Sequence, residues 1–144
     1  MRKISFFVPG PPQGKQRART VTVNGRRMSY TPQKTRDYER LIAQCFRKAG
    51  GFLFPEGEPV FLFVSAAFPV PKSYGKKKAM DCRSGRRCPL VKPDGDNILK
   101  AVSDALNGLA YPDDSHLVWQ AVFKRYAEIP ENVGITVSLW STSP

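Results

Sequence analysis

The residues best suited to chemistry fall in one run, KPDGDNILKAVSDALNGLAYPDD, from Lys92 to Asp114. The 144-residue chain holds 23 Lys+Arg against 12 Asp+Glu, a formal net charge of +11, yet five of the twelve acids (Asp94, Asp96, Asp104, Asp113, Asp114) lie inside that run. Asp94 and Asp96 stand two apart just ahead of a helical pattern, so in an extended segment both side chains leave the backbone on the same side. Two such carboxylates repel unless a hard cation sits between them and phosphate oxygens. Mg²⁺ takes one or two carboxylates, keeps several waters and completes its octahedron with substrate. The competing reading makes the pair a helix cap and a first-turn acid. Neighbouring residues of an extended chain point to opposite sides, so one of Asp113 and Asp114 is expected to join Asp94 and Asp96. The alternative is a solvated turn after Pro112. A helix of about 12 residues carries the chain roughly 18 Å from Asp96, and five extended residues span about 17 Å. The three-carboxylate set therefore only just closes within one chain, unless a second subunit supplies a member. Lys100 lies one helical turn after Asp96 and one before Asp104. It is either a rung of a surface ladder or a cation that offsets charge on a phosphoryl group.

Other motifs are weaker. GPPQGK fails as a phosphate loop, because three residues rather than four separate Gly10 from Gly14 and Gln16 follows the lysine. His116 adjoins the acids, but a lone histidine is more often a satisfied strand residue than a ligand. Cys45, Cys82 and Cys88 read as reduced thiols, and with His116 they are spaced poorly for zinc.

Elements able to position the acids can be read from patterning. ISFFV (Ile4 to Val8) is a strand, followed by a basic loop, Pro9 to Arg19. Asn24-Gly25 between VTV and RRMSY predicts a hairpin, since both central positions of that turn need positive φ. Thr31 is expected to cap, and Pro32 to open, a helix with Leu41, Ile42, Cys45 and Phe46 on its apolar face, a basic outer face and a stop at Gly50-Gly51. Pro59 to Val70 reads as a buried strand, too short for a membrane helix of roughly 18 to 20 residues. A basic stretch with a short helix follows. Ile98, Val102, Ala105 and Leu109 then keep helical spacing, with Asn107-Gly108 as C-cap. Beyond Asp114, Leu117, Trp119, Ala121 and Phe123 are expected to share one strand face, and Val133 to Trp140 alternates as a last strand. The expected fold is α+β: one compact domain over residues 1–144, with a mixed or antiparallel sheet packed with two main helices.

The charge balance argues for a polyanionic partner, nucleic acid first. Neither a signal peptide nor a membrane span is visible, which predicts a cytoplasmic setting.

The run KPDGDNILKAVSDALNGLAYPDDSHL, followed by Lys124, resembles the RusA family of Holliday junction resolvases, small bacterial and phage-associated endonucleases. The family pattern is K-P-D-x-D-N-x-x-K, then D-A-L-N-G, then D-D. The likeness extends to Gly10, Pro12, Lys15, Arg17 and Arg19 in the first loop and to Tyr30-Thr31-Pro32 before the first helix. It departs at His116, where the family often has Gln, and Gly95 fills the variable position between the aspartates.

The resemblance implies a homodimer that uses Mg²⁺, with Mn²⁺ as a substitute, to cut four-way DNA junctions by paired symmetric nicks in recombination and repair. Asp94, Asp96 and Asp114 would be the metal-binding carboxylates, Asp113 an accessory candidate and Lys100 the essential lysine. Phosphates would be met by Lys15, Arg17, Arg19, Arg26 and Arg27 from the first third of the chain. Lys76, Lys77, Lys78, Arg86, Arg87 and Lys92 would add contacts from the second basic stretch, positioning DNA without reading its sequence. No nucleotide cofactor and no membrane are expected. The rival readings are a non-catalytic DNA-binding module whose acids are caps and surface pairs, and a nuclease for other branched DNA or for RNA. A plain RNA-binding protein is disfavoured by the lack of an RNP-like aromatic motif.

Overall fold

A computed structural model describes residues 1–142. Four strands form a mixed sheet in the order β1-β6-β4-β5, from β1 (Arg2–Pro9), β4 (Val60–Phe68), β5 (Leu117–Tyr126) and β6 (Gly134–Ser141). β1 alternates, with Ile4, Phe6 and Val8 turned inward. β4 is central, and Val60, Leu62, Val64 and Ala66 are fully buried. The helices α1 (Gln33–Lys48) and α3 (Gly95–Leu106) pack together, α1 contacting β1 and α3 contacting β5. Tyr38, Ile42 and Phe46 of α1 and Ile98, Ala101, Val102 and Leu106 of α3 complete the core. A single core, helices and a mixed sheet make this the expected compact α+β fold.

β4 and β5 run parallel, whereas the other pairs of the sheet are antiparallel. Parallel neighbours need a long crossover. Here it contains α2 (Lys76–Arg83) and α3, and this connection lays α3 against β5. The strand pairing thereby fixes where the acid-bearing helix lies.

The predicted hairpin forms as β2 (Arg19–Val23) and β3 (Arg26–Tyr30), with Asn24 at φ 49° and Gly25 at φ 75°. Two local expectations change. Pro32, not Thr31, is the N-cap residue of α1, and no side chain caps it. Thr31 precedes a proline and is biased to extended backbone, so the helix starts one residue late. The hydroxyl of Thr35 instead accepts the Gln16 N–H at 3.1 Å. In β5 a bulge after Leu117 splits the apolar stripe read from the sequence: Leu117 packs against the core, whereas Trp119 and Phe123 are 45% and 51% exposed and look away from it. Val122 packs against the core and Tyr126 is buried in it, on the side that α3 covers.

Candidate active site

Asp94 caps α3, Asp96 and Asp104 lie on it, and Asp113 and Asp114 stand in a turn beyond its end. At its start Asp94 is the N-cap, its Oδ1 accepting the Asn97 N–H at 3.1 Å, which satisfies one of the helix's orphan donors. The helix begins at Gly95, so Asp96 is already helical and the extended, same-side geometry expected for Asp94 and Asp96 does not occur. Both carboxylates are exposed. Among the described residues Asp96 has no hydrogen-bond or ion-pair partner, and Asp94 keeps its second oxygen free. Gly95 has a packing reason: a Cβ there would lie 2.7 Å from Val122 Cγ1. The segment leading into the helix is anchored by Lys124, whose Nζ donates to the Val91 carbonyl at 2.6 Å and sits 5.0 Å from the Phe68 ring centroid.

At the far end the chain does not run back along the helix as an extended strand. It folds into a compact turn, with Gly108 N–H donating to the Tyr111 carbonyl at 2.9 Å and the Tyr111 hydroxyl donating to the Ser103 carbonyl at 2.7 Å. Burial pushes the Tyr111 phenol up, and the charges of Asp114, Asp104 and Asp113 push it further. Asp113 caps the short turn Asp114–His116 through Ser115 N–H at 3.0 Å, and hydrogen bonding from Ser115 holds its carboxyl below the usual range. Asp114 is exposed and takes no such bond. His116 is mostly buried beside it, with Nε2 3.3 Å from Glu56 Oε1 and Nδ1 unpartnered.

Asp113 and Asp114 thus lie beside the second half of α3, while Asp94 and Asp96 hold its start. From Asp96 to the level of Asp104 the helix rises about 12 Å. No three carboxylate, imidazole or thiol groups among the described residues gather at one point.

Lys100 is largely exposed, its Nζ 3.7 Å from Asp104 Oδ1, and it makes no ion pair with Asp96. Asp104 is chiefly engaged by Lys15, whose Nζ lies 3.1 Å from Asp104 Oδ2 and 2.5 Å from Glu39 Oε1. Burial lowers the Lys15 pKa, but the hydrogen bonds and charges of Glu39 and Asp104 outweigh it and hold the ammonium above its ordinary 10.5. Lys15, expected to face phosphate, is therefore tucked between α1 and α3. Its N–H donates to the Asn97 carbonyl at 3.0 Å, and a Cβ on Gly14 would stand 2.8 Å from Asn97 Cβ and 2.9 Å from Pro93 Cβ. The first basic loop is pressed against the start of α3, and a cavity of about 330 Å³ between them is lined by Gln13, Lys34, Lys92, Asp94 and Asn97. Sequence reasoning missed Glu39 and the role of Asp104, because nothing in their spacing signals a partner in a distant loop.

The other cations stay on the surface. Arg17, Arg19, Arg26, Arg27, Lys76, Lys77 and Lys92 are exposed. Lys78 sits 4.0 Å over the Tyr74 ring, Arg86 pairs with Asp81 at 3.6 Å, and the Arg87 N–H donates to the Asp81 carbonyl. The donor set at the start of α3 is all oxygen, which suits a hard cation, and two carboxylates are as many as Mg²⁺ ordinarily takes from protein. The chemistry open to the site is phosphate binding by cations around carboxylates able to hold such an ion.

The family described as Endodeoxyribonuclease RusA matches residues 9–138. A Bacillus subtilis (strain 168) protein, "Uncharacterized protein YqaN", is 36% identical over 129 residues, covering 88% of this chain and 90% of its own length. Among the described residues no helix is long and apolar enough to cross a membrane.

Proposed function

The chain belongs to the RusA family of endodeoxyribonucleases, and from that premise we propose that it is a cytoplasmic, homodimeric, Mg²⁺-dependent enzyme that resolves four-way DNA junctions by paired symmetric nicks. The observation that carries this reading is the pair of exposed carboxylates, Asp96 and Asp114, without partners among the described residues, on a chain of net charge +11. Negative charge facing solvent opposes DNA binding, so its retention beside basic loops calls for a cation between it and phosphate.

Asp94 and Asp96 would hold Mg²⁺, with Mn²⁺ as a substitute, and Asp114 would complete the set with Asp113 as accessory. The bound ion supplies activation of a water and stabilisation of phosphoryl charge. Lys100, on the same helix and exposed, offsets negative charge on the phosphoryl oxygens as the bond to the 3′ oxygen breaks. Lys34 and Lys92, lining the cavity beside Asp94, position the cut strand without reading its sequence.

A second copy explains the separation of the acids along α3. β5 is an edge strand whose exposed side chains include Val118, Trp119 and Phe123. It starts three residues after Asp114 and passes the start of α3 where Val122 meets Gly95. A two-fold axis beside β5 reverses one strand against the other. Asp114 of one subunit is thereby brought toward Asp94 and Asp96 of its partner. This apposition also covers an apolar edge of the kind that otherwise invites aggregation, and it supplies two equivalent sites for two opposed nicks.

The test is cleavage of a labelled synthetic four-way junction and a matched linear duplex, each with Mg²⁺ and with chelator, by the wild type and by Asp96→Asn. Symmetric nicks on the junction alone, absent with chelator and in the variant, are expected. Binding without cutting under every condition would reduce the acids to caps and surface charge and leave a DNA-binding module. Equal cutting of flaps or forks would make the enzyme a general branch nuclease.

A further inference from the structure

The β2–β3 ribbon is the part of the fold with the least to hold it. All of its strand residues are exposed, and it makes no substantial packing contact with any other element. An isolated two-stranded hairpin is marginal in water, yet this one is regular over five residue pairs.

Directly opposed residues of an antiparallel pair share a face, so the register sorts the ribbon into two unlike sides. One side carries Arg19 opposite Tyr30, Val21 opposite Met28 and Val23 opposite Arg26; the other carries Thr20 opposite Ser29 and Thr22 opposite Arg27. The first side is apolar through its middle and cationic at both ends. Val21, Val23, Met28 and Tyr30 are 40%, 47%, 54% and 43% exposed. Nothing from Gly10 to Arg36 is acidic.

We infer that the apolar face of this ribbon docks against base faces laid open at a DNA branch point, with its arginines on the flanking phosphates. The inference rests on the nuclease reading and names the element that selects branched over linear substrate. In a linear duplex the base faces are stacked and hidden, and the grooves offer edges and phosphates only. At a branch point the bases lose a stacking neighbour and can be separated at small cost, so an apolar or aromatic face gains a partner there, as with apolar side chains wedged between base steps. Charge complementarity favours DNA over a second copy, since this ribbon and the rest of the chain are both strongly positive.

The test compares Val21→Ser/Met28→Ser with the opposite-face control Thr20→Ala/Ser29→Ala. Binding is measured in chelator, where no cutting intervenes, to a four-way junction carrying 2-aminopurine at the branch point and to a linear duplex of matched length. For the wild type, binding raises 2-aminopurine fluorescence. The apolar-face variant is expected to lose that rise and about tenfold or more of its junction affinity while keeping its duplex affinity. The control should match wild type in both. Equal loss on junction and duplex, or no loss on either, overturns the inference. So does a change in sedimentation mass of the apolar-face variant without DNA, which would make the ribbon a contact between copies. Because the ribbon makes no substantial packing contact with another element, an unchanged melting temperature verifies that the domain is intact. Failure of the nuclease reading is separately visible as a wild type that binds the junction but never cuts it with Mg²⁺.

Discussion

Replacing Lys15 by Met removes a cation shared by two carboxylates while keeping most of the side chain's length. Its Nζ lies 2.5 Å from Glu39 and 3.1 Å from Asp104, and the three side chains are only 21%, 22% and 24% exposed. A charge-assisted hydrogen bond contributes about 1.5–3 kcal/mol, so two give about 3–6 kcal/mol before immobilising the lysine costs about 2 kcal/mol. A net loss of about 1–4 kcal/mol is expected on substitution. With a urea m-value of about 2 kcal/mol/M that is a midpoint lowered by about 0.5–2 M. In the variant the two carboxylates face one another without a cation, so adding Asp104→Asn should recover part of the loss, whereas the same change in the wild type costs stability. The pH sign is also fixed. Because folding raises the Lys15 pKa above its ordinary 10.5, its contribution is complete below that pH and is lost as pH rises through the folded value. The stability gap between wild type and Lys15→Met should therefore hold at pH 8 and close above about pH 10.5. A midpoint shift under about 0.3 M would refute the reasoning, leaving the cluster worth no more than an exposed pair.

Four further outcomes are expected. Asp96→Asn should abolish junction cutting while leaving junction affinity equal or higher, read by gel shift beside the cleavage assay. If each site is completed by the partner's Asp114, mixing Asp96→Asn with Asp114→Asn protein should restore single nicks, because one of the two sites in the mixed dimer is intact; sites built within one chain would give none. Gly95→Ala should destabilise by about 1 kcal/mol, overpacking at Val122 outweighing the helix-propensity gain, and Val122→Ala in the same chain should relieve the clash in thermal melts. Duplex binding should weaken steeply between about 50 and 200 mM salt, and a flat dependence would remove the exposed arginines of the first loop and ribbon from the account.

Legibility in the sequence followed the range of the interactions concerned. The hairpin was readable because Asn24-Gly25 carries its own backbone requirement, and α3 because Ile98, Val102 and Leu106 recur at helical spacing beneath a capping aspartate. The orientation of β5 was not. An alternating stripe states that Leu117, Trp119 and Phe123 share a side, but a bulge after Leu117, which alternation does not signal, leaves Leu117 on the core and turns Trp119 and Phe123 away from it. The same limit governed the acids. Their types and spacing pointed to a cation-binding role, whereas the extended geometry assumed for Asp94 and Asp96 was replaced by a cap and a helical turn. Lys15 looked like one more phosphate contact because its partners, Glu39 and Asp104, are distant in sequence and meet only when α1 packs on α3.

The five acids around α3 differ in what holds them. Asp104 is committed to Lys15, Asp113 to its own turn and one oxygen of Asp94 to the helix cap. Among the described residues, the carboxylates of this set left without protein partners are Asp96, in the first turn of α3, and Asp114, in the separate turn Asp114–His116. A monomer with its cations exposed would bind any DNA it met, since phosphate contacts are blind to sequence. If each cation site needs Asp96 from one subunit and Asp114 from the other, a singly bound chain cannot cut. Cleavage then begins only where two copies are held together, and a substrate with two-fold symmetric arms favours that arrangement. Dividing the acids between α3 and the turn beyond it would in this way confine a strongly basic nuclease to paired nicks.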